Sequence, residues 1–560
     1  ALRAVAMLLG ILLHASLAYV PGIPWPVQDS RPAPWLGLLF LAIHGFRMPL
    51  FFLVSGFFTA MLWKRRGTAA MLAQRYKRVF VPLVLGFCTL LPLFDWMTTR
   101  SPGTGAAGTP VASYGPEASL SAAIRAGDDA GVAASLAAGA DPSGVDAEFR
   151  TPLVTLAALV GDEAVVHRLL DAGADPDALG DDGRTPLHAA AFAGRLPVVR
   201  RLLDAGADPT KRGPNGDSPL DSTKADAGTT AFIASLLRIE LESPDTLRAD
   251  RDAIRVLLAS RTGESAEVPA PPPADRLTRV RNAYRDWLAS SSFVVRTPGG
   301  GEPQSLFLGD TFSYLWFLWM LCWLAVGFAA VAALATGLRL HFPPSWLFTS
   351  RAALLWTVPL TLLPQVFMGL FTPGFGPDTS AGLLPQPHVL AYYAIFFGYG
   401  AMLFLAEDGA DGDVERVGRR WLGAALVALL ICFPMGLVTI QSPTAGAPAQ
   451  VLYAWLMSFA AIGFFRWLVP AESRTWRYLS DSAYWLYLAH MPLVILLQQA
   501  SRDWPAPGTI KFLGVTAVAT AILLASYQAL VRHTPLGRLL NGPRNDGQPA
   551  PSRAASRLSS

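Results

Sequence analysis

A chain of 560 residues that is 52% hydrophobic, 11% aromatic and only 15% charged, with 16 tryptophans and a mean hydropathy of +0.36, has the composition of a polytopic membrane protein. The three cysteines, Cys88, Cys322 and Cys432, all lie in apolar stretches without disulfide or metal-site spacing, which excludes a thiolate metal centre and a disulfide framework. There is no G-x-S-x-G elbow, P-loop or C-x-x-C, so neither nucleotide hydrolysis nor metal chemistry has a foothold. No metal, cofactor or nucleic-acid partner is expected.

The first apolar segment carries the most informative pair. Arg3 and His14 are eleven residues apart, which on an α-helix places them within about 20° of one face and roughly 16 Å apart along the axis. Ionisable groups at membrane depth are costly and usually face a cavity where they act. The alternative for His14 is a hydrogen-bonded residue inside a helix bundle. Arg3, the apolar run and Ser16-Leu17-Ala18 also fit a signal peptide. A membrane anchor is the favoured reading, because nothing downstream needs a secretion signal. The chain starts at Ala1, so native residues are expected to precede it.

Ten apolar stretches are long enough, or nearly so, to cross a bilayer: 3–20, 36–62, 79–97, 312–336, 350–370, 387–406, 421–440, 450–468, 483–499 and 510–531. Basic residues crowd alternate loops. Lys64, Arg65, Arg66, Arg75, Lys77 and Arg78 follow the second stretch. Arg339 and Arg351 follow the fourth, Arg416, Arg419 and Arg420 the sixth, Arg474 and Arg477 the eighth, and Arg532 and Arg538 the tenth. The other loops hold little beyond Arg31, Arg502 and Lys511. The positive-inside rule then puts both termini in the cytoplasm.

Residues 100–310 interrupt this pattern with a period of their own. Ala-Gly-Ala-Asp recurs at 138–141, 172–175 and 205–208, and Thr-Pro-Leu or Ser-Pro-Leu at 151–153, 185–187 and 218–220. A step of 33 to 34 residues with this punctuation resembles ankyrin repeats, about four of them over 115–245. His188 belongs to the repeat pattern and reads as structural. Ser218 in Gly216-Asp217-Ser218 looks like an esterase nucleophile block but occupies the cap position of a repeat helix. The insert is acidic and the membrane part basic. Loop parity places it on the extracytoplasmic side. Flanking linkers cover 98–114 and 246–310, the second with the proline-rich stretch 270–275 and a basic amphipathic helix over 276–290. The expected architecture is all-α: a membrane domain over 1–97 and 311–540, interrupted by the insert and followed by a disordered tail over 541–560.

The membrane half carries a resemblance. Arg3-x10-His14, FRMPLFFLVSGFF (46–58), Arg75-Tyr76-Lys77-Arg78, SYLWFLWML (313–321) and SDSAYWLYLAHMPLV (480–494) occur in this order. Together they resemble the membrane-bound acyltransferase-3 family, and especially its glucans biosynthesis protein C branch, which is not known for an ankyrin insert. The resemblance implies that an acyl group, acetyl or succinyl, passes from cytoplasmic acyl-CoA to a hydroxyl of an extracytoplasmic carbohydrate. Arg75 and Arg78, spaced i,i+3 near helix N-terminal amides, suit a phosphate clamp for the donor; positive-inside anchoring is their alternative role. His14 would be the general base or acyl acceptor, with Arg3 holding donor phosphate or orienting the site. His44, Arg47 and His490 are further cavity candidates. Trp316 and Trp319 read as interface anchors.

The expected protein is therefore a multi-pass enzyme of a bacterial inner membrane, with acyl-CoA as donor substrate, a glycan acceptor, surrounding lipid and a protein partner for the ankyrin repeats. The competing class is a non-enzymatic membrane-anchored ankyrin protein or a transporter.

Overall fold

The computed structural model describes residues 2–99 except 21, 22, 24 and 30, and residues 116–542 except 147–150, 215, 226–229, 231–233, 235–238, 240, 267–274, 296–303, 340–342, 372, 408–421, 441 and 469–472. The first linker from residue 100 on, the prolines of the second, Arg416, Arg419, Arg420 and the tail beyond 542 lie outside the described residues. The regular secondary structure of the described residues is helical apart from an isolated bridge and one short hairpin, Val294–Val295 against Gln304–Ser305. It divides into two compact units, one made of 1–19, 34–101 and 280–560, the other of 20–33 and 102–279.

In the first unit, helices α1 (Leu2–Ser16), α2 (Trp35–Arg75) and α3 (Val81–Thr99) are followed by α4 (Trp316–Gly337), α5 (Pro387–Glu407), α6 (Pro443–Leu468), α7 (Arg474–Ser501) and α8 (Gly508–Ser526). Six described helical segments are long and apolar enough to cross a membrane: Leu2–Tyr19, Trp35–Thr98, Ser313–Gly337, Pro387–Ala406, Pro443–Phe465 and Gly508–Val531. Ala353–Gln365 and Gly423–Val438 are apolar but shorter. The 28-residue α7 is long enough but is not among them; it carries Arg474, Arg477 and Asp481 in its first half and His490, Gln498 and Gln499 in its second.

The 64-residue segment Trp35–Thr98 is not one rod. Gly67 has φ 77° and ψ 173°, a conformation open essentially to glycine alone. Thr59 and Arg75, each eight residues from it, meet through an Arg75 Nη2 to Thr59 Oγ1 hydrogen bond of 2.5 Å. Sixteen residues of straight helix would hold them about 24 Å apart. The chain folds back at Gly67, giving two antiparallel arms.

Glycine also sets the closest packing. Gly56 of α2 faces the Phe397 carbonyl of α5, and Gly400 of α5 faces the Leu53 carbonyl of α2, so that a Cβ on either would strike backbone. Small residues at such crossings let helices associate where lipid supplies no hydrophobic drive between them. Aromatic side chains fill the bundle interior beside this crossing. Trp455 is fully buried, stacks on Phe396 at 4.0 Å and donates its Nε1–H to Thr361 Oγ1 at 3.0 Å, which satisfies its polar end. Trp316 belongs to the same interior: it is 9% exposed and packs on Phe52 and Tyr393, so it is not the interface anchor the sequence suggests. Trp319 donates to the Leu383 carbonyl at 3.0 Å.

The second unit is a stack of short helix pairs: Pro116–Ala126 with Asp129–Ala137, Leu153–Val160 with Glu163–Asp171, and Pro186–Phe192 with Leu196–Asp204, followed by Pro219–Ser222 and Pro244–Thr262. Leu156, Val165, Leu187, Val198 and Leu202, each at most 1% exposed, come from successive pairs and form one continuous core. The helix Pro244–Thr262 adds Ile254 and Leu258 to it. The stack therefore extends beyond residue 245, and the stretch read as linker begins as its terminal helix. Ser218 is a cap: its Oγ accepts from the Asp221 amide while Asp221 Oδ2 accepts from the Ser218 amide. His188 does the same work one repeat earlier. Its Nδ1 accepts from the Thr185 amide at 3.3 Å, which leaves Nε2–H to donate to the Asp217 carbonyl at 3.2 Å.

Candidate active site

Helices α1 and α7 run parallel. Arg3 lies over the Tyr484 ring at 5.8 Å, the His14 ring lies 5.2 Å from that of His490, and Gln498 Nε2 donates to the Ala15 carbonyl at 3.1 Å. The spacing that puts Arg3 and His14 on one face of α1 is matched on α7 by Tyr484, Tyr487 and His490, three residues apart. Tyr484 and Tyr487 were not singled out from the sequence; the Tyr-x-x-Tyr-x-x-His spacing in an otherwise apolar run was the available signal.

A cavity of about 870 Å³ opens between α1, α2, α4 and α7, within the range of small-molecule sites. Among the described residues, Arg3, Arg75, Arg78 and Arg477 line it against a single carboxylate, Asp481. Tyr484 and Tyr487 line it further along, and the Tyr484 hydroxyl is buried without a hydrogen-bond partner among the described residues. Such a surplus of guanidinium groups in a concave wall concentrates anions. Arg75 and Arg78 come together there as expected, but not beside free helix amides. The helix starts soon after Gly67, and Tyr76–Phe80 is a π-helical turn within it. π-Bulges shift the side-chain register and recur at functional sites.

Beyond Tyr487 lies the histidine pair. His490 Nδ1 is 2.6 Å from the Tyr487 carbonyl. A carbonyl only accepts, so this nitrogen carries the hydrogen and Nε2 presents a lone pair, buried and without a partner among the described residues. Arg47 and His44 of α2 complete the electrostatic surroundings of His14. The Arg47 guanidinium packs where Gly10 leaves room for it, one turn before His14 on α1. His44 stacks on Phe40 at 5.4 Å and rests against Gly376 and Pro377.

Near that loop is a second polar group that sequence reasoning missed. Tyr284 Oη lies 3.1 Å from His388 Nδ1, and His388 Nε2 lies 3.6 Å from Asp378 Oδ2. Tyr284 and Asp378 are 104 and 10 positions from His388, so no local spacing advertises them. No group of three or more His, Cys, Asp or Glu side chains among the described residues could hold a metal ion.

Comparisons with known proteins identify the family of both parts of the chain. The acyltransferase-3 family, described as an acyltransferase domain, matches residues 1–119 and 278–528, and ankyrin repeats (three copies) match residues 120–213. Similar proteins include the glucans biosynthesis protein C of Escherichia coli strain SMS-3-5 / SECEC, 41% identical over 92 residues, 16% of this chain and 23% of that protein. Those of strains O1:K1 / APEC and O139:H28 (E24377A / ETEC) are each 40% identical over the same coverage. The match thus spans about a quarter of those relatives' length. The family match covers well over half of the chain and joins its two membrane portions across the repeats. This chain belongs to the membrane acyltransferase-3 family, as an enzyme that transfers acyl groups other than amino-acyl groups, with ankyrin repeats interrupting its acyltransferase domain.

Proposed function

We propose that this protein moves an acetyl or succinyl group from cytoplasmic acyl-CoA to a hydroxyl of an extracytoplasmic carbohydrate. The observation that carries the reading is the arginine-lined cavity that leads toward the His14–His490 pair. Coenzyme A is a polyanion, and Arg75, Arg78 and Arg3 supply guanidinium forks suited to its phosphates. The acyl-pantetheine arm then follows the wall of Tyr484 and Tyr487 toward the histidines. His14 takes the proton of the acceptor hydroxyl, with the His490 Nε2 lone pair beside it as a second base. The new alkoxide attacks the thioester carbonyl, the carbon–sulfur bond breaks, and the departing thiolate recovers the proton.

Ten membrane passes with both termini cytoplasmic fit this chemistry and the charge pattern of the loops. The parallel course of α1 and α7 supports the count, since the first and ninth of ten passes run in the same direction. In that arrangement the ankyrin stack is extracytoplasmic and docks a partner protein or the acceptor. Glucan as the acceptor is suggested by the name of the similar E. coli proteins.

The test is transfer of labelled acetyl or succinyl groups to envelope glycans in cells that make the wild type or Arg75→Ala. Label in a glycan that Arg75→Ala fails to produce at equal membrane abundance supports the reading. Equal labelling by the variant removes the donor clamp. Capture of a defined envelope protein or glycan by the repeats, lost when their exposed tips are altered, would identify what the insert docks.

A further inference from the structure

Acyl transfer from a thioester passes through a tetrahedral intermediate whose oxygen carries a full negative charge, and an enzyme must place positive charge or hydrogen-bond donors where that oxygen forms. The cavity arginines are poorly placed for this. Arg3 lies over Tyr484, two turns of α7 before His490, and Arg75 Nη2 is bonded to Thr59. Arg47 differs. It is the arginine among the electrostatic neighbours of His14 and of His490, and it also interacts with Tyr487 where the cavity ends. The side chain is half-buried, its Nε is buried without a hydrogen-bond partner among the described residues, and the guanidinium forms no ion pair with any described carboxylate. A cation drawn partly out of water in a bundle interior normally carries a counter-ion or several hydrogen bonds. Arg47 has neither, and its guanidinium occupies space that exists because position 10 is glycine. An uncompensated cation beside the reacting groups is arranged for an anion that exists only during the reaction.

We propose that the Arg47 guanidinium is the oxyanion-holding group of this acyltransferase. The inference rests on the thioester-donor reading above. When the acceptor alkoxide adds to the carbonyl carbon, the carbonyl π electrons move to oxygen and that oxygen takes the Arg47 N–H donors. When the carbonyl re-forms, the pair returns, the carbon–sulfur bond breaks and coenzyme A leaves as thiolate. Arg47 gives up no proton and gains none. Its position on the cavity side of His14 suits the carbonyl of a donor arriving from the cavity. A carboxylate at the far end of a succinyl group would reach past it.

The experiment uses the full chain in detergent or nanodiscs, with acetyl-CoA and succinyl-CoA as separate donors and envelope glycan as acceptor. It compares wild type, Arg47→Gln and Arg47→Lys in kcat, donor KM and thermal midpoint. The expected result is a loss of about 10²- to 10³-fold in kcat for Arg47→Gln with both donors alike. Donor KM should be nearly unchanged, Arg47→Lys should recover part of the rate, and the thermal midpoint should be unchanged or higher. A loss confined to succinyl-CoA would overturn the proposal by making Arg47 a carboxylate anchor. Unchanged kcat, or a fall in thermal midpoint that Arg47→Lys reverses along with activity, would also overturn it. Wild-type protein that consumes neither donor would instead fail the underlying donor reading.

Discussion

Replacing Gly10 by alanine tests the geometry around His14 without touching a reacting group. A Cβ at position 10 falls on Arg47 Nη1, well inside the 3.4–4 Å of ordinary van der Waals contact. The obstacle is the far end of a flexible side chain, so the helix stays and the guanidinium moves, by about 1 Å, a displacement that can cost on the order of 10²-fold in rate. Alanine in a helix interior is favoured over glycine by about 1 kcal/mol, so the variant should fold at least as well as the wild type. The assay pairs kcat for acyl transfer with the thermal midpoint of the purified protein. We expect a kcat loss of one to two orders of magnitude, about 10- to 10²-fold, with unchanged or raised stability and no change in donor KM. Unchanged kcat would mean that the guanidinium can move away from His14 without consequence, and that its place there has no role in the reaction.

Two further predictions concern the fold. Gly56→Ala should wedge α2 from α5, because the new methyl group meets the immobile Phe397 carbonyl; overpacking of this kind costs about 1–3 kcal/mol and should lower the thermal midpoint, and a midpoint equal to wild type would show the crossing to be looser than described. In the repeats, burial holds the His188 imidazole below its ordinary pKa, only partly offset by its bond to the Asp217 carbonyl. The unfolded chain therefore binds more protons than the folded one just below the free value of about 6.5. Repeat stability should be full above that pH and decline as pH falls through it. Protonation of Nδ1 would also remove the acceptor that caps Thr185. Denaturant midpoints of the repeat unit at pH 7.5 and 5.5 should differ for wild type and less for His188→Gln, while equal slopes would exclude His188 as the source.

The repeats were legible because their punctuation is local. Thr185-Pro186-Leu187 and Gly194 fix a cap and a turn within ten residues, and this grammar gave Ser218 its correct role as a cap. Their end was not legible, because Ile254 and Leu258 sit in a charged helix whose burial depends on the repeat before it. Arg3, His14, Arg75 and Arg78 could be picked out because charge in an apolar run is conspicuous. Their partners were harder. Tyr484 and Tyr487 look like ordinary aromatic filling until α1 lies against α7, and Gly10 reads as a helix residue until Arg47 arrives from another helix. The Tyr284–His388–Asp378 group forms across 104 positions, a separation no periodicity can bridge. Tryptophan misled for the same reason, since the burial of Trp316 is decided by Phe52 and Tyr393 rather than by its own neighbours.

The catalytic role of His14 is decided by single-turnover acyl transfer by purified protein from radiolabelled acyl-CoA to glycan, comparing wild type with His14→Ala at matched folding and matched coenzyme A binding. Wild type should release one free coenzyme A thiol for each acyl group gained by glycan. His14→Ala should bind coenzyme A with unchanged affinity yet transfer at a rate lower by at least about 10²-fold. Transfer by His14→Ala at the wild-type rate would contradict that role.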